Sequence, residues 1–275
     1  MRVNNANPFL TDALYASRHM CEGAPTASLP EAGMDARTAQ RLILDELNLN
    51  GNPLLNTASF VTPWMEPEAD ELMLKTSSIN FIDFHEYPIV QAIHQRVMNI
   101  MADMLHAPGA VDREGAHTAV GTSTIGSSEA IMLALLAHKW AWRKRRQDKG
   151  LDSSRPNVIF GAGVHSCWEK FALYFDVEAR IIPMQVDKYT IGPDDVEPLI
   201  DENTIAIGVV IGTTFTGQND DFSGINDLLL RVKAERSLDI PIHVDAASGG
   251  FVMAFAHPEI AWDFRLEQVR SINVS

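Results

Sequence analysis

The sequence predicts an α/β protein: a mainly parallel sheet flanked by helices, preceded by an N-terminal helical arm. Three observations carry this. From residue 127 onward, short β-rich runs alternate with helical patterns, the order expected of βαβ units. The run 205–211 is apolar throughout, as a strand covered on both faces would be. Two of the runs stop at polar residues, at 213–216 and at Asp245, and the carboxyl ends of parallel strands are where such sheets hold ligands.

The elements follow in order. Residues 1 to about 60 mix Pro, Gly, Asn and short apolar patches and read as an arm that packs on a larger body or a partner subunit. Its one good helix is 35–49, with Ala39, Leu42, Ile43 and Leu47 at helical spacing. Helical pattern returns at 66–75 and at 87–106. In the second of these Ile89, Ile93, Val97, Ile100, Met101 and Met104 form a broad apolar stripe. A helix from 127 to about 144 leads into a strand at 157–160, then a helix at 166–175 and a strand at 179–183. A helix at 193–200 precedes the strand 205–211, a helix at 225–238 precedes the strand 242–244, and 270–275 begins one more strand. Right-handed crossovers bring the ligand-bearing strand ends to one edge. The body therefore spans 61–275. Because a parallel sheet needs helices on both faces and no helix follows 270–275, the expectation is a chain that ends early, with its large domain incomplete.

Composition narrows the function. With 36 acidic against 22 basic residues, the formal net charge is −14, which argues against nucleic acid as a partner. The one dense basic run, 143–146, is expected to be a solvated helix end, where cations suit the helix dipole. Cys21 and Cys167 lie far apart, which is no disulfide framework and fits a reducing compartment. No stretch has the roughly 20 apolar residues of a membrane span, and the first residues lack the apolar core of a signal peptide. The expected location is cytoplasmic. No metal is expected either, since His85, His94 and His106 lack ligand spacing.

Two stretches carry chemistry. In Gly121-Thr-Ser-Thr-Ile-Gly126-Ser127-Ser128-Glu129-Ala130 small polar residues open a long helix. The bland alternative is a capping box with a serine N-cap and Glu129 near N3, but the same N–H groups and the positive end of the dipole bind phosphate. In Ile242-His-Val-Asp245-Ala-Ala247-Ser-Gly-Gly250 an apolar strand stops at a carboxylate followed by small residues. A carboxylate there suits a protonated ring nitrogen, and small residues let a flat ring sit close to the backbone; a structural cap for the turn is the competing explanation. His165 follows the 161–163 turn and can stack over a flat ring. Thr213, Thr214 and Thr216 present hydroxyls at the same edge, or make a local turn. A phosphate grip and an acid for a ring nitrogen together point to pyridoxal 5'-phosphate.

These residues, with Phe81-Ile-Asp83-Phe-His-Glu-Tyr-Pro88 and Trp262-Asp-Phe-Arg265, resemble the group II pyridoxal-phosphate-dependent amino-acid decarboxylases. The likeness is greatest to the bacterial and plant glutamate decarboxylase branch and runs from about 54 to 275. The resemblance implies the large domain of a fold type I pyridoxal-phosphate-dependent transferase, lacking a C-terminal small domain. It places Gly126, Ser127 and Ser128 at the phosphate, Thr214 at the cofactor, Asp245 at the ring nitrogen and Ala247 and His165 against the ring. Many glutamate enzymes carry Gln where His165 stands. Ser59, Phe60, Asn80 and Asp83 fall where the substrate's distal carboxylate is bound, Ser59 replacing a threonine.

The implied activity is decarboxylation of L-glutamate to 4-aminobutyrate and CO2, by a homo-oligomer built from dimers. Alternatives are another acidic amino acid as substrate, or a catalytically dead truncated chain. The family's Schiff-base lysine would lie beyond Ser275, and Lys75, Lys139, Lys144, Lys149, Lys170, Lys188 and Lys233 are not at its position. The 275-residue chain itself is accordingly expected to be inactive.

Overall fold

A computed structural model describes residues 25, 27–29, 31, 33–56, 65–109 and 120–275. The chain divides into two compact units, Met1–Glu71 and Leu72–Ser275. In the first, helix α1 (Ala36–Leu47) begins at Asp35, whose carboxylate accepts from the N–H groups of Arg37 (3.1 Å) and Thr38 (3.2 Å). Such a cap is worth about 1 kcal/mol. Ile43, Leu44 and Leu47 on this helix are exposed. Helix α2 (Pro67–Thr76) runs from the first unit into the second, with Glu68 and Asp70 in its first turn and Lys75 in its last, as the dipole favours.

In the second unit, α3 (Pro88–Met104) starts with a proline, which loses nothing at a position whose N–H is unpaired anyway. Helix α4 (Ser127–Asp148) is a turn longer than the sequence pattern suggests. The basic run lies inside it and is not simply a solvated end. Arg143 stacks on Trp140 and Arg146 on Trp142, and Arg146 donates to the Glu202 carbonyl at 3.0 Å, fastening α4 to the loop before a central strand.

Five parallel strands follow: β1 (Asn157–Gly161), β2 (Glu178–Ile182), β3 (Thr204–Val210), β4 (Ile242–Ala246) and β5 (Val269–Val274), in the spatial order β2-β1-β3-β4-β5. Every residue of β1, β3 and β4 is buried, as the apolar runs require. Helix α5 (Cys167–Tyr174) links β1 to β2, and α6 (Pro193–Val196) carries the chain back past β1 to β3. Helices α7 (Phe222–Arg236) and α8 (Gly250–Ala256) link β3 to β4 and β4 to β5. One face of the sheet packs Ile207, Val209 and Val244 with Ile225, Leu228, Leu229 and Val232 of α7. The other packs Val158, Phe160 and Ile205 with Ile131 and Leu135 of α4 and Trp168 and Phe171 of α5. Each such buried side chain contributes about 1.5–3 kcal/mol. The parallel sheet with helices on both faces is the architecture the sequence predicts.

Two elements differ from expectation. The helix expected at 193–200 breaks into α6 and a 3-10 turn, Glu197–Leu199, because Pro198 has no N–H to continue an α-helix. Helix α8 was hidden by the glycines that open it. A Cβ at Gly249 would lie 2.6 Å from the Ile211 carbonyl oxygen, and one at Gly250 2.7 Å from Val274 Cγ1. These glycines admit α8 against the ends of β3 and β5. The Trp262–Arg265 motif is also structural: buried Asp263 pairs with Arg265 (2.8 Å) and with His106 (2.9 Å) just past α3.

Candidate active site

Asp245 is the fourth residue of β4 and only 5% exposed. Its Oδ1 accepts from Asn273 Nδ2 (3.1 Å) and the Ala247 N–H (3.3 Å), and its Oδ2 from Trp168 Nε1 (3.2 Å). Asn273 reaches it because the two residues are register partners on β5 and β4. Trp168 reaches it from α5 across β3, over Gly208, whose missing side chain leaves room for the indole. The ring packs between Phe160 and His243, with centroids 5.3 and 5.5 Å away. Among the described residues no Arg, Lys or His pairs with this carboxylate. A buried anion held by neutral donors alone is costly.

The N-terminus of α4 supplies the second part. Gly126, in extended conformation, is the cap, and no side chain caps the helix. The serine N-cap of the capping-box alternative is therefore wrong: Ser127 and Ser128 are the first two helical residues. Glu129 reaches back only to the Ile125 N–H, at 2.8 Å. A Cβ on Gly126 would meet nothing within 4 Å, so the approach to this turn is open. The first-turn N–H groups of a long helix, under the positive dipole end, suit a phosphate.

Cys167 joins the two parts. Burial pushes its thiol up to about 11 and the charge of Asp245 acts in the same direction, while a hydrogen bond with Ser128 opposes them. His165, exposed in the loop between β1 and α5, accepts the Cys167 N–H on Nδ1 at 3.3 Å. Ser128, His165 and Asp245 thus meet around the start of α5, with half-buried Ala247 two residues past the carboxylate.

The remaining candidates lie further out. Thr214 is exposed in the loop after β3. Its neighbour Thr213 is buried, 2.8 Å from the Thr216 hydroxyl and facing the turn at Gly163. Asn80 and Asp83 are exposed ahead of α3; Asn80 accepts the Ile82 N–H (3.3 Å) and Asp83 the Glu86 N–H (3.2 Å). Between them Phe81 meets His94 edge-on at 5.2 Å, and His94 Nε2 accepts the Ser123 N–H at 3.0 Å, which ties this segment to the loop before α4. Among the described residues no hydrogen bond links Asn80 or Asp83 to the Asp245 cluster. Ser59 and Phe60 lie outside the described residues.

Trp168, Asn273 and Cys167 were missed by the sequence reading. Only Asn273 left a signal, as a lone amide in an apolar strand. Lys139, the one buried lysine among the described residues, donates to the Phe175 carbonyl, and Lys188 and Lys233 pair with Asp195 and Glu267. An open groove of about 610 Å³ runs beside α5 and β2, lined by Arg155, Glu169 and Asp176, and shares no residue with the cluster.

Residues 30–275 match the model of the pyridoxal-dependent decarboxylase conserved domain. The chain belongs to the pyridoxal-dependent decarboxylase family. Its relatives in this decarboxylase family include glutamate decarboxylase 5 of Arabidopsis thaliana, 46% identical over 261 residues, 95% of this chain and 52% of the relative. Glutamate decarboxylase of Aliivibrio fischeri is 41% identical over 266 residues, 97% of this chain and 56% of the relative. Among solved structures, Lactobacillus brevis glutamate decarboxylase superposes with a TM-score of 0.86 at 42% identity, covering 94% of this chain and 58% of that one. A sphingosine-1-phosphate lyase of Burkholderia pseudomallei, at 21% identity and a TM-score of 0.74, shares the fold. The chain spans about half the length of the curated relatives it matches. The family's cofactor is pyridoxal 5'-phosphate, and the residues present fit it: an open helix N-terminus for a phosphate and a buried carboxylate lacking a cation for a ring nitrogen.

Proposed function

We propose that this chain is the cofactor-holding part of a glutamate decarboxylase, which converts L-glutamate to 4-aminobutyrate and CO2. The observation that carries the reading is Asp245, a buried carboxylate at a strand end with three neutral donors and no cationic partner among the described residues. A protonated pyridine nitrogen supplies the missing cation. The names of the relatives favour glutamate as substrate.

The residues divide the work as follows. Ser127 and Ser128, with the N–H groups after Gly126, grip the phosphate, and Thr214 adds a contact from the β3 loop. Asp245 would hold the proton on the ring nitrogen, and Ala247 and His165 would lie against the ring. Ser59, Phe60, Asn80 and Asp83 form the region for the distal carboxylate. Pyridoxal phosphate, when bound, supplies an electron sink for the pair released as the bond from Cα to the departing carboxylate breaks. The protein's contribution is orientation and a fixed charge. In this reading residues 61–275 are the cofactor domain and 1–60 an arm. The enzyme is cytoplasmic and a homo-oligomer of dimers, consistent with the apolar stripe of Ile89, Ile93, Val97 and Ile100 that α3 leaves exposed. No helix among the described residues is long and apolar enough to cross a membrane.

The test is a binding titration followed by a substrate panel. Pyridoxal phosphate should quench tryptophan emission in the wild-type chain, and Asp245→Ala and Ser127→Ala/Ser128→Ala should each weaken binding at least tenfold, a loss of about 1.4 kcal/mol or more. Equal binding by wild type and Asp245→Ala would remove the basis of the reading. Given L-glutamate, L-aspartate and other acidic amino acids, a full-length version that includes the Schiff-base lysine should release CO2 fastest from L-glutamate; preference for another acid would reassign the substrate.

A further inference from the structure

Behind Asp245 a line of polar groups runs from α4 to the carboxylate. His138 on α4 places Nε2 2.7 Å from Ser271 Oγ, and the same oxygen lies 2.8 Å from Nδ1 of His243. His243 is fully buried on β4, two residues before Asp245 and on the same face. Ser271 and Asn273 are the register partners of His243 and Asp245 on β5. Asn273 donates to Asp245 through Nδ2 at 3.1 Å, so its Oδ1 turns away from the carboxylate. That oxygen and His243 Nε2 are both buried, and neither has a hydrogen-bond partner among the described residues. Against burial, the Asn273 side chain and then the Ser271 backbone favour the protonated imidazole.

Proton counting gives this line a direction. Both imidazoles are neutral at pH 7. Burial lowers His138 to about 3, with repulsion from His243, Arg145 and Arg270 adding to it, and burial lowers His243 to about 4. A neutral imidazole has one N–H, and the Ser271 hydroxyl has one proton to give. If His243 carried its proton on Nδ1, a bare Nε2 would face Asn273. The amide would then turn its NH2 to the ring and set its oxygen against Asp245, acceptor to acceptor. With the proton on Nε2, His138 can donate to Ser271, Ser271 to His243 and Asn273 to Asp245, and the remaining N–H is left for the unpartnered acceptor Asn273 Oδ1.

We propose that His138, Ser271, His243 and Asn273 form a one-way donor line that keeps Asp245 an acceptor and so holds the shared proton on a ring nitrogen bound there. The four are positioning residues, acting through Asp245, and the second half of the statement rests on the cofactor reading above. The line begins on α4, the helix whose N-terminus is the phosphate candidate, so one helix would serve both ends of the cofactor.

Histidine-selective 15N labelling of the chain, without cofactor, tests the direction. Long-range 15N–1H correlation distinguishes the tautomers, and His138→Gln and His243→Gln assign the signals. Both rings should be neutral and protonated on Nε2 at pH 7. A His243 protonated on Nδ1, or charged, overturns the proposal. The coupling is read with Ser271→Ala, which should mix the His243 tautomers and weaken pyridoxal phosphate binding by roughly 3- to 10-fold, and Ser271→Thr, which keeps the hydroxyl and should restore both. Unchanged affinity in Ser271→Ala overturns the coupling. Failure of the wild-type chain to take up pyridoxal phosphate counts against the cofactor reading, and the tautomers still decide the donor line.

Discussion

Replacing Gly208 by Ala tests how the buried carboxylate is held. Gly208 stands in the middle of β3, with His243 as its register partner on β4. An added Cβ would overlap Cη2 and Cζ3 of Trp168 and lie 3.1 Å from Phe160 Cβ. To restore ordinary carbon contacts of roughly 3.5–4.0 Å the indole must retreat by about 1 Å. Trp168 is fully buried, so the retreat is an overpacking cost of about 1–3 kcal/mol. It also stretches the 3.2 Å bond from Nε1 to Asp245 past the length at which a hydrogen bond counts. Losing a bond to a charged group adds about 1.5–3 kcal/mol. The gain from stiffening the unfolded chain, about 0.4–1 kcal/mol, offsets little of this.

The expected loss is therefore about 2–5 kcal/mol, large against the typical 5–15 kcal/mol of a folded domain. Urea unfolding measures it, and a fall in midpoint at constant slope identifies a native-state effect. Trp168→Phe removes the atoms that collide, so the double variant should lose clearly less than the sum of the single losses; such coupling is the signature of residues in contact. A Gly208→Ala protein within about 0.5 kcal/mol of wild type, the size of an ordinary surface effect, would refute the account of how Trp168 reaches Asp245.

Two further predictions concern carboxylates of opposite sign. Burial disfavours the ionised form of Asp263, yet its hydrogen bonds from Arg265 and then His106 hold it below 3.8. Its stabilisation is thus present above that value and lost as pH falls through the lower folded one; Asp263→Asn should cost about 2–4 kcal/mol at pH 7 and flatten the acid limb of a pH series of urea melts, and an unchanged limb would contradict it. Asp220 is pushed up to about 6 by burial, against the N–H groups of Ile191 and Val210. Its contribution is full below 3.8 and lost as pH rises through about 6; a 13C carboxyl titration should show a midpoint near 6, and an ordinary midpoint near 4 would exclude this.

The strands were legible because burial on both faces leaves only one kind of sequence. Ile205–Ile211 is an apolar run of strand length, and the structure buries every residue of β3 and β4. Asp245 and the Ser127–Ser128 turn were legible because each breaks a local pattern, a charge closing an apolar run and two serines opening a helix. What failed was of two kinds. Helix α8 begins with glycines chosen for close approach to Ile211 and Val274, and a close approach between distant segments leaves no periodic trace. Trp168, His138 and Ser271 look like ordinary helix and strand residues, since their roles depend on which strand lies beside which.

The same dependence governs how much hydrogen-bonding capacity the Asp245 carboxylate keeps free. An ionised Asp offers about four acceptor positions. Oδ1 uses two of them, on Asn273 and on the Ala247 N–H, and Oδ2 uses one, on Trp168. The free position is on Oδ2, the oxygen with the weaker commitment. The sheet holds Oδ1 through the register of β4 with β5 and the turn after β4, both fixed by backbone pairing. Oδ2 is steadied only by a side chain laid across Gly208. A ligand N–H arriving at Oδ2 would meet an oxygen already oriented from one side. Among the described residues the orientation is maintained without a cation. Neutral donors on three positions keep the charge available at the fourth, and the fold achieves this with one indole, one amide and one backbone N–H drawn from three different segments.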